Sequence, residues 1–164
     1  NGAVFCHANT WAVIAECMLK NGDRAYEYYH QLLPMVAQEK AGEWRYKAEP
    51  YVYASNIMGP ESLNFGLANV SWLSGTAAWM YIAATQYILG VKACFDGISV
   101  IPCMPSKWDK ASVSRKFRDC VYNISLVPTS DEAYIEEDGE IIKGNFIRHK
   151  DNVKQRNITV YYNK

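Results

Sequence analysis

Asn69-Val70-Ser71-Trp72-Leu73-Ser74-Gly75-Thr76-Ala77-Ala78-Trp79-Met80-Tyr81 opens a short polar run into a long apolar one. Ser74, Gly75 and Thr76 fall where the cap of a helix belongs. The helix runs from about Thr76 to Leu89 and is apolar on nearly every face, through Ala77, Trp79, Met80, Ile82, Ala83, Tyr87 and Ile88, before Gly90 ends it. A helix of this kind is buried on several sides. Its first backbone N–H groups lack intrahelical partners and lie at the positive end of the dipole, so a glycine there lets an oxyanion approach closely. An ordinary cap on a buried helix uses the same residue types, and the residues alone leave both readings open.

Beyond Gly90 the period changes from helical to alternating. Ile98 and Val100 alternate, Cys120, Tyr122, Ile124 and Leu126 repeat every second residue, and Asp96-Gly97 and Asp138-Gly139 are hairpin signals. Further strands are expected near Val113 to Phe117, Ala133 to Glu137, Glu140 to Ile142, Phe146 to Arg148 and Ile158 to Tyr162. The second half therefore reads as an antiparallel sandwich or jelly roll. A boundary near Gly90 to Asp96 divides residues 1–93 from residues 94–164.

Upstream of the capping stretch, Asn9 and Thr10 are placed to cap a helix through Lys20, with Val13, Ile14, Cys17 and Met18 on one stripe and Asn21-Gly22 as its stop. Asp23 is placed to cap the next, in which Tyr26, Tyr29, Leu32 and Leu33 keep a helical period until Pro34 interrupts it. From Ala41 to Ser71 no period is sustained, Gly and Pro recur, and aromatics are frequent; Tyr51-Val52-Tyr53-Ala54 reads as a short extended piece. A loop of this length inside a compact domain is usually functional. Three helices and one long loop do not close a helical domain, so the apolar helix is expected to find its missing neighbours upstream in a longer protein.

The whole chain has 164 residues, of which 49% are hydrophobic, enough for a real core. Its 17 basic and 17 acidic residues cancel without a long single-sign run, which argues against a nucleic-acid or anionic-membrane surface. A neutral or small partner is expected. Cys6, Cys17, Cys94, Cys103 and Cys120 are odd in number and widely spaced, so neither a disulfide framework nor a structural zinc site is indicated, and buried thiols in a reducing cytoplasm are expected. No apolar run reaches membrane-spanning length and no signal peptide opens the chain.

With these residues laid out, the sequence resembles the C-terminal end of the cellobiose phosphorylase family, glycoside hydrolase family 94. The blocks that carry the resemblance are Asn1-Gly2-Ala3-Val4-Phe5-Cys6-His7-Ala8-Asn9, Glu49-Pro50-Tyr51-Val52-Tyr53, Gly59-Pro60 and Trp72-Leu73-Ser74-Gly75-Thr76-Ala77-Ala78-Trp79-Met80. They continue through Gln86-Tyr87-Ile88-Leu89-Gly90, Asp96-Gly97, Ile101-Pro102-Cys103-Met104-Pro105 and Arg115-Lys116-Phe117-Arg118. Any one block is weak; their order and spacing together are specific, over roughly Asn1 to Leu126.

The resemblance implies an α+β multidomain fragment: the last helices of an (α/α)6 barrel, residues 1–93 with the active-site loop, followed by a C-terminal β-sandwich. In that family inorganic phosphate attacks the anomeric carbon of a β-linked disaccharide and leaves an α-sugar 1-phosphate with inversion. Inverting hydrolases need two carboxylates; phosphate is its own nucleophile, so one aspartic acid suffices. The resemblance assigns phosphate binding to His7 and to Ser74-Gly75, with serine standing where the family has threonine, and puts the catalytic acid upstream, which leaves the fragment alone inactive. Hydroxyl, backbone N–H and imidazole groups are suitable donors to phosphate oxygens. No metal or cofactor is implied beyond phosphate as co-substrate. A homodimer of the complete enzyme and a cytoplasmic location are further implications.

Trp44, Tyr51, Tyr53 and Trp72 are candidate sugar contacts, because an aromatic ring offers a flat apolar face with a polar edge; core packing serves each equally well. Among the local carboxylates, Glu16 sits mid-helix, Glu49 precedes Pro50, and with Glu61 they are read as structural. Two other readings stand beside the phosphorylase. One is an inverting hydrolase on a similar barrel, which needs a second carboxylate near His7 and Ser74. The other is a non-catalytic carbohydrate-binding β module with a helical adaptor.

Overall fold

The computed structural model describes residues 2–164, so Asn1 of the first block lies outside the described residues. The chain forms two compact units, Asn1–Ala84 and Thr85–Lys164.

The first unit is mainly helical. Helix α1, Cys6–Met18, begins earlier than its sequence signals suggest. Asn9 and Thr10 do not cap it: Asn9 Nδ2 donates to the Phe5 carbonyl and Thr10 Oγ1 to the His7 carbonyl, back-bonds within the first turns of the helix itself. The chain reverses at Lys20, whose φ is 63°. Gly22 then opens α2, Gly22–Gln31, rather than ending α1. Asp23 is not the cap of α2 either; it lies in the first turn, where its charge complements the dipole.

Pro34 ends that run and also starts α3, Pro34–Ala41, at the first helical position, where a missing N–H costs nothing. A short α4, Glu43–Tyr46, buries Tyr46 within the expected long loop. The rest of that loop is not structureless. Strand β1, Val4–Phe5, pairs antiparallel with β2, Ala54–Ile57, which pairs with β3, Ala68–Ser71, so the extended piece falls just after the Tyr51 to Ala54 segment.

The capping stretch opens α5, Thr76–Ile82, which widens into a π segment over Ala83–Ile88. α1 lies against α2, α5 and β2, and Val13, Ile14, Cys17, Ala25, Val52, Ala54, Met80 and Ala83 are buried. In α5, Ala77, Ala78 and Tyr81 are exposed.

Gly90, at φ 69°, closes the helix, and a Cβ there would sit 2.0 Å from the Ile101 carbonyl oxygen, so only glycine fits. The second unit is β throughout, as the change of period indicates. A three-stranded sheet has the order β10-β5-β4, from β4, Val91–Ala93, β5, Gly97–Val100, and β10, Phe146–Arg148. A five-stranded sheet has the order β6-β7-β11-β8-β9, from β6, Ala111–Phe117, β7, Cys120–Pro128, β8, Tyr134–Glu137, β9, Glu140–Ile142, and β11, Gln155–Tyr162. Asp138-Gly139 turns β8 into β9 as its sequence suggests.

One expectation fails: the sheet is not wholly antiparallel, since β7 and β11 pair in parallel, Gln155↔Val121 through Tyr162↔Pro128. A parallel pair needs a long crossover, and the segment carrying β8 to β10 supplies it. Both sheets feed one core, in which Ile98, Val100, Tyr122, Ile124, Leu126, Ile135, Ile147, Ile158 and Val160 are buried.

A buried polar network crosses this core. Arg156, 3% exposed, pairs bidentately with Glu137, at 2.5 Å from Nε to Oε1 and 2.6 Å from Nη2 to Oε2. Arg156 Nη1 donates to the Arg148 carbonyl at 2.6 Å and reaches the Tyr122 hydroxyl at 3.5 Å. That hydroxyl lies 2.8 Å from His149 Nδ1, and His149 Nε2 faces Asp119 and Asp151 at 3.5 and 3.7 Å. Arg156 holds the Glu137 carboxyl below the usual carboxylate range, with Lys150 adding to the effect.

Candidate functional site

His7 is the second residue of α1, and Gly75 immediately precedes α5; the packing of these two helices brings them together. A Cβ built on Gly75 would lie 3.0 Å from His7 Cε1 and 3.2 Å from Nδ1. Gly75 has an ordinary φ of −73°. A side chain at this position would crowd the imidazole, whereas the backbone conformation does not itself call for glycine.

The imidazole sits among Phe5, Trp11 and Trp79, with ring centroids 5.9, 5.7 and 6.1 Å away. Trp11 also meets Trp79 edge to face at 6.1 Å. His7 as a whole is half-buried, and its Nε2 is buried with no hydrogen-bond partner among the described residues. Buried polar atoms are nearly always satisfied, so an orphan of this kind calls for an explanation. The neighbouring Cys6 thiol is no reactive partner: burial pushes its pKa up to about 11.

Ser74 sits at the same end of α5. Its hydroxyl oxygen accepts from the Thr76 backbone N–H at 3.1 Å and lies 2.5 Å from Thr76 Oγ1. Thr76 is fully buried, and the next acceptor for its hydroxyl is the Ala54 carbonyl at 3.5 Å. Either hydroxyl can donate in the Ser74–Thr76 pair. Ser74 thus serves the turn that opens α5.

The four aromatic candidates part company. Trp72 is exposed and its indole N–H donates to Glu49 Oε1 at 3.1 Å. Tyr53 is half-buried and hydrogen-bonded to Tyr29, and burial raises the pKa of both. Trp44 carries the Arg45 guanidinium 5.4 Å above its ring, and Tyr51 stands exposed. None of these contacts reaches His7 or Gly75. Glu16 is occupied by Asn21 at 2.9 Å, a structural use.

Sequence reading missed two features. Trp11 and Trp79 lie one helical turn beyond His7 and Gly75 respectively, a spacing that places each beside its partner on one helix face. Val70 and Trp72 have φ of 54° and 69°, and no sequence signal marks a valine or tryptophan for that region.

A family model described as glycosyl hydrolase 94 superfamily, catalytic domain, matches residues 1–90. The chain is 46% identical over 126 residues to an N,N'-diacetylchitobiose phosphorylase of Vibrio furnissii and 47% identical over 126 residues to that of Vibrio proteolyticus, each match covering 77% of this chain. It is 32% identical over 126 residues, again 77% of the chain, to a solabiose phosphorylase of Paenibacillus borealis. The chain spans about 16% of the length of these curated relatives.

Proposed function

From the premise that this chain belongs to the glycosyl hydrolase 94 superfamily, we propose that it is part of an inverting glycoside phosphorylase and carries part of its phosphate site. Residues 1–93 are then the closing helices and active-site loop of an (α/α)6 barrel, and residues 94–164 a C-terminal β-sandwich. Phosphate attacks the anomeric carbon of a β-linked disaccharide and the glycosidic oxygen departs with a proton from an acid that this chain does not supply. The products are an α-sugar 1-phosphate and a free sugar.

The observation that carries the reading is the orphaned Nε2 of His7, buried beside Gly75 at the opening of α5. A phosphate oxygen gives this nitrogen the partner it lacks. The same dianion also accepts from the Ser74 hydroxyl and from N–H groups at the start of α5, and it fits tightly because Gly75 has no side chain. The substrates are a sugar and phosphate, the complete enzyme is a cytoplasmic homodimer, and no cofactor takes part.

The test is phosphorolysis by the complete protein, with N,N'-diacetylchitobiose, for which the Vibrio relatives are named, as the first disaccharide and cellobiose and laminaribiose beside it. His7→Ala is expected to weaken phosphate use by about 1.5 to 3 kcal/mol, the scale of a hydrogen bond to a charged group. The loss appears chiefly as a raised KM for phosphate if ground and transition states share the contact. Ser74→Ala follows more mildly, since the N–H groups remain. If both variants keep wild-type phosphate kinetics and lose only thermal stability, the helix end is a structural cap. Equal sugar release with phosphate omitted makes the protein a hydrolase instead.

A further inference from the structure

Ser74 and Gly75 sit at the end of a turn that does not hold its shape through its own sequence. Val70 and Trp72 adopt φ of 54° and 69°, a region that costs a residue with a Cβ on the order of 1–3 kcal/mol. Valine is β-branched and is the more strained of the two. Burial does not offset that cost, because Val70, Trp72 and Leu73 are 47%, 69% and 79% exposed. Something outside the turn must hold it, and the contacts point to one segment. Trp72 Nε1 donates to Glu49 Oε1 across 23 positions of chain. Ser71 pairs with Ala54 in the β2–β3 ladder, and Thr76 Oγ1 reaches the Ala54 carbonyl.

We propose that Glu49 is a positioning residue for phosphate recognition: its carboxylate grips the Trp72 indole, fixes the strained turn from Val70 to Gly75, and so aims Ser74 and the start of α5. This rests on the phosphate-site reading above. Trp72 lowers the Glu49 pKa, helped by Glu49's own backbone N–H and by Ser71, so the acceptor stays ionised at neutral pH. The ladder pair and the Thr76 bond fix the two ends of the turn; the Glu49 carboxylate, bonded to Trp72 and helped by Ser71, holds its middle, where Trp72 occupies the unfavourable region. Freed from Glu49, Trp72 relaxes toward extended backbone and Ser74, two residues on, moves with it.

The experiment compares Glu49→Ala, Glu49→Gln, Trp72→Phe and the double variant Glu49→Ala/Trp72→Phe in the complete protein, with His7→Ala alongside. Glu49→Ala and Trp72→Phe each raise the KM for phosphate about three- to tenfold, the equivalent of one hydrogen bond, with kcat and melting temperature little changed. The double variant is no worse than Glu49→Ala, which already removes the bond that Trp72→Phe removes. Glu49→Gln keeps an acceptor oxygen and stays close to wild type. Amide hydrogen exchange at residues 71–76 speeds up in Glu49→Ala and Trp72→Phe but not in Glu49→Gln.

A Glu49→Gln variant as damaged as Glu49→Ala overturns the inference, because the charge and not the grip then matters. Wild-type phosphate KM in Glu49→Ala and Trp72→Phe, with a raised one in His7→Ala, overturns this inference and leaves the phosphate reading standing. An unchanged phosphate KM in His7→Ala overturns the phosphate reading. The exchange measurement then still decides the grip, and unaltered exchange at residues 71–76 overturns it.

Discussion

His149 and His7 are both ringed by aromatic side chains, yet they are provisioned in opposite ways. His149, 5% exposed, has the Tyr122 hydroxyl at one ring nitrogen and the Asp119 and Asp151 carboxylates facing the other, while its backbone N–H donates to the Asp96 carbonyl. The Tyr122 hydroxyl joins His149 Nδ1 at 2.8 Å, and Arg156 Nη1 reaches the same hydroxyl at 3.5 Å. These groups partner one another within the fold. His7, by contrast, is packed against Phe5, Trp11 and Trp79, and its Nε2 has no partner among the described residues. A satisfied buried network specifies structure; an unsatisfied nitrogen next to a glycine leaves room for a ligand.

Variants break or sharpen this contrast, and the largest effect belongs to the second unit. Arg156→Ala takes the bidentate partner from the buried Glu137 carboxylate, leaving the exposed Lys150 beside it, and is expected to cost about 3 to 5 kcal/mol of stability, read by chemical denaturation. The same pair gives a pH dependence. The folded-state pKa of Glu137 lies below its ordinary value of 4.5. The stabilisation is therefore fully present above that value and is lost as pH falls below it through the folded value. Glu137→Gln should flatten that part of the stability profile; an unchanged acid limb would assign the loss to other carboxylates.

Next in size, His149→Phe removes the hydrogen-bond partner of the Tyr122 hydroxyl and is expected to cost about 1 to 3 kcal/mol. Lys150→Ala, which removes the exposed partner of Glu137 at 3.1 Å, should cost at most about 1 kcal/mol, less at high salt. The smallest stability effect separates the two histidines most sharply. His7→Leu removes an unpaired nitrogen and should leave the melting temperature unchanged or raised, even as phosphate use falls. A loss as large as that of His149→Phe would mean that His7 has a structural partner after all.

Much of the fold was legible because it follows from local period. The alternation of Cys120, Tyr122, Ile124 and Leu126 marks β7, the Asp138-Gly139 pair marks the β8–β9 hairpin, and Gly90 marks the change of language. Boundaries were legible less well. Asn9 and Thr10 have the chemistry of caps but bond back into α1, since a hydroxyl or amide finds a carbonyl one turn earlier as readily as a free N–H. For the candidate site, the sequence picked out His7, Ser74 and Gly75 one by one. It could not show that the imidazole lies against Gly75 or that Nε2 has no partner, because both facts depend on residues far apart in the chain.

The sequence by itself determined α1, α2 and α5, the strands from Gly97 onward and the change from helix to strand at Gly90, since these depend on the spacing of apolar residues over a turn or two of chain; it did not show α3, α4, β1, β3 or β4. Tertiary structure alone decided the pairing of β1 with β2, the parallel pairing of β7 with β11, and the grip of Glu49 on Trp72. It alone holds Val70 and Trp72 in a backbone region that their own side chains disfavour. Each of these joins residues more than 20 positions apart, and a contact across such a distance is fixed by the geometry of everything packed between its ends.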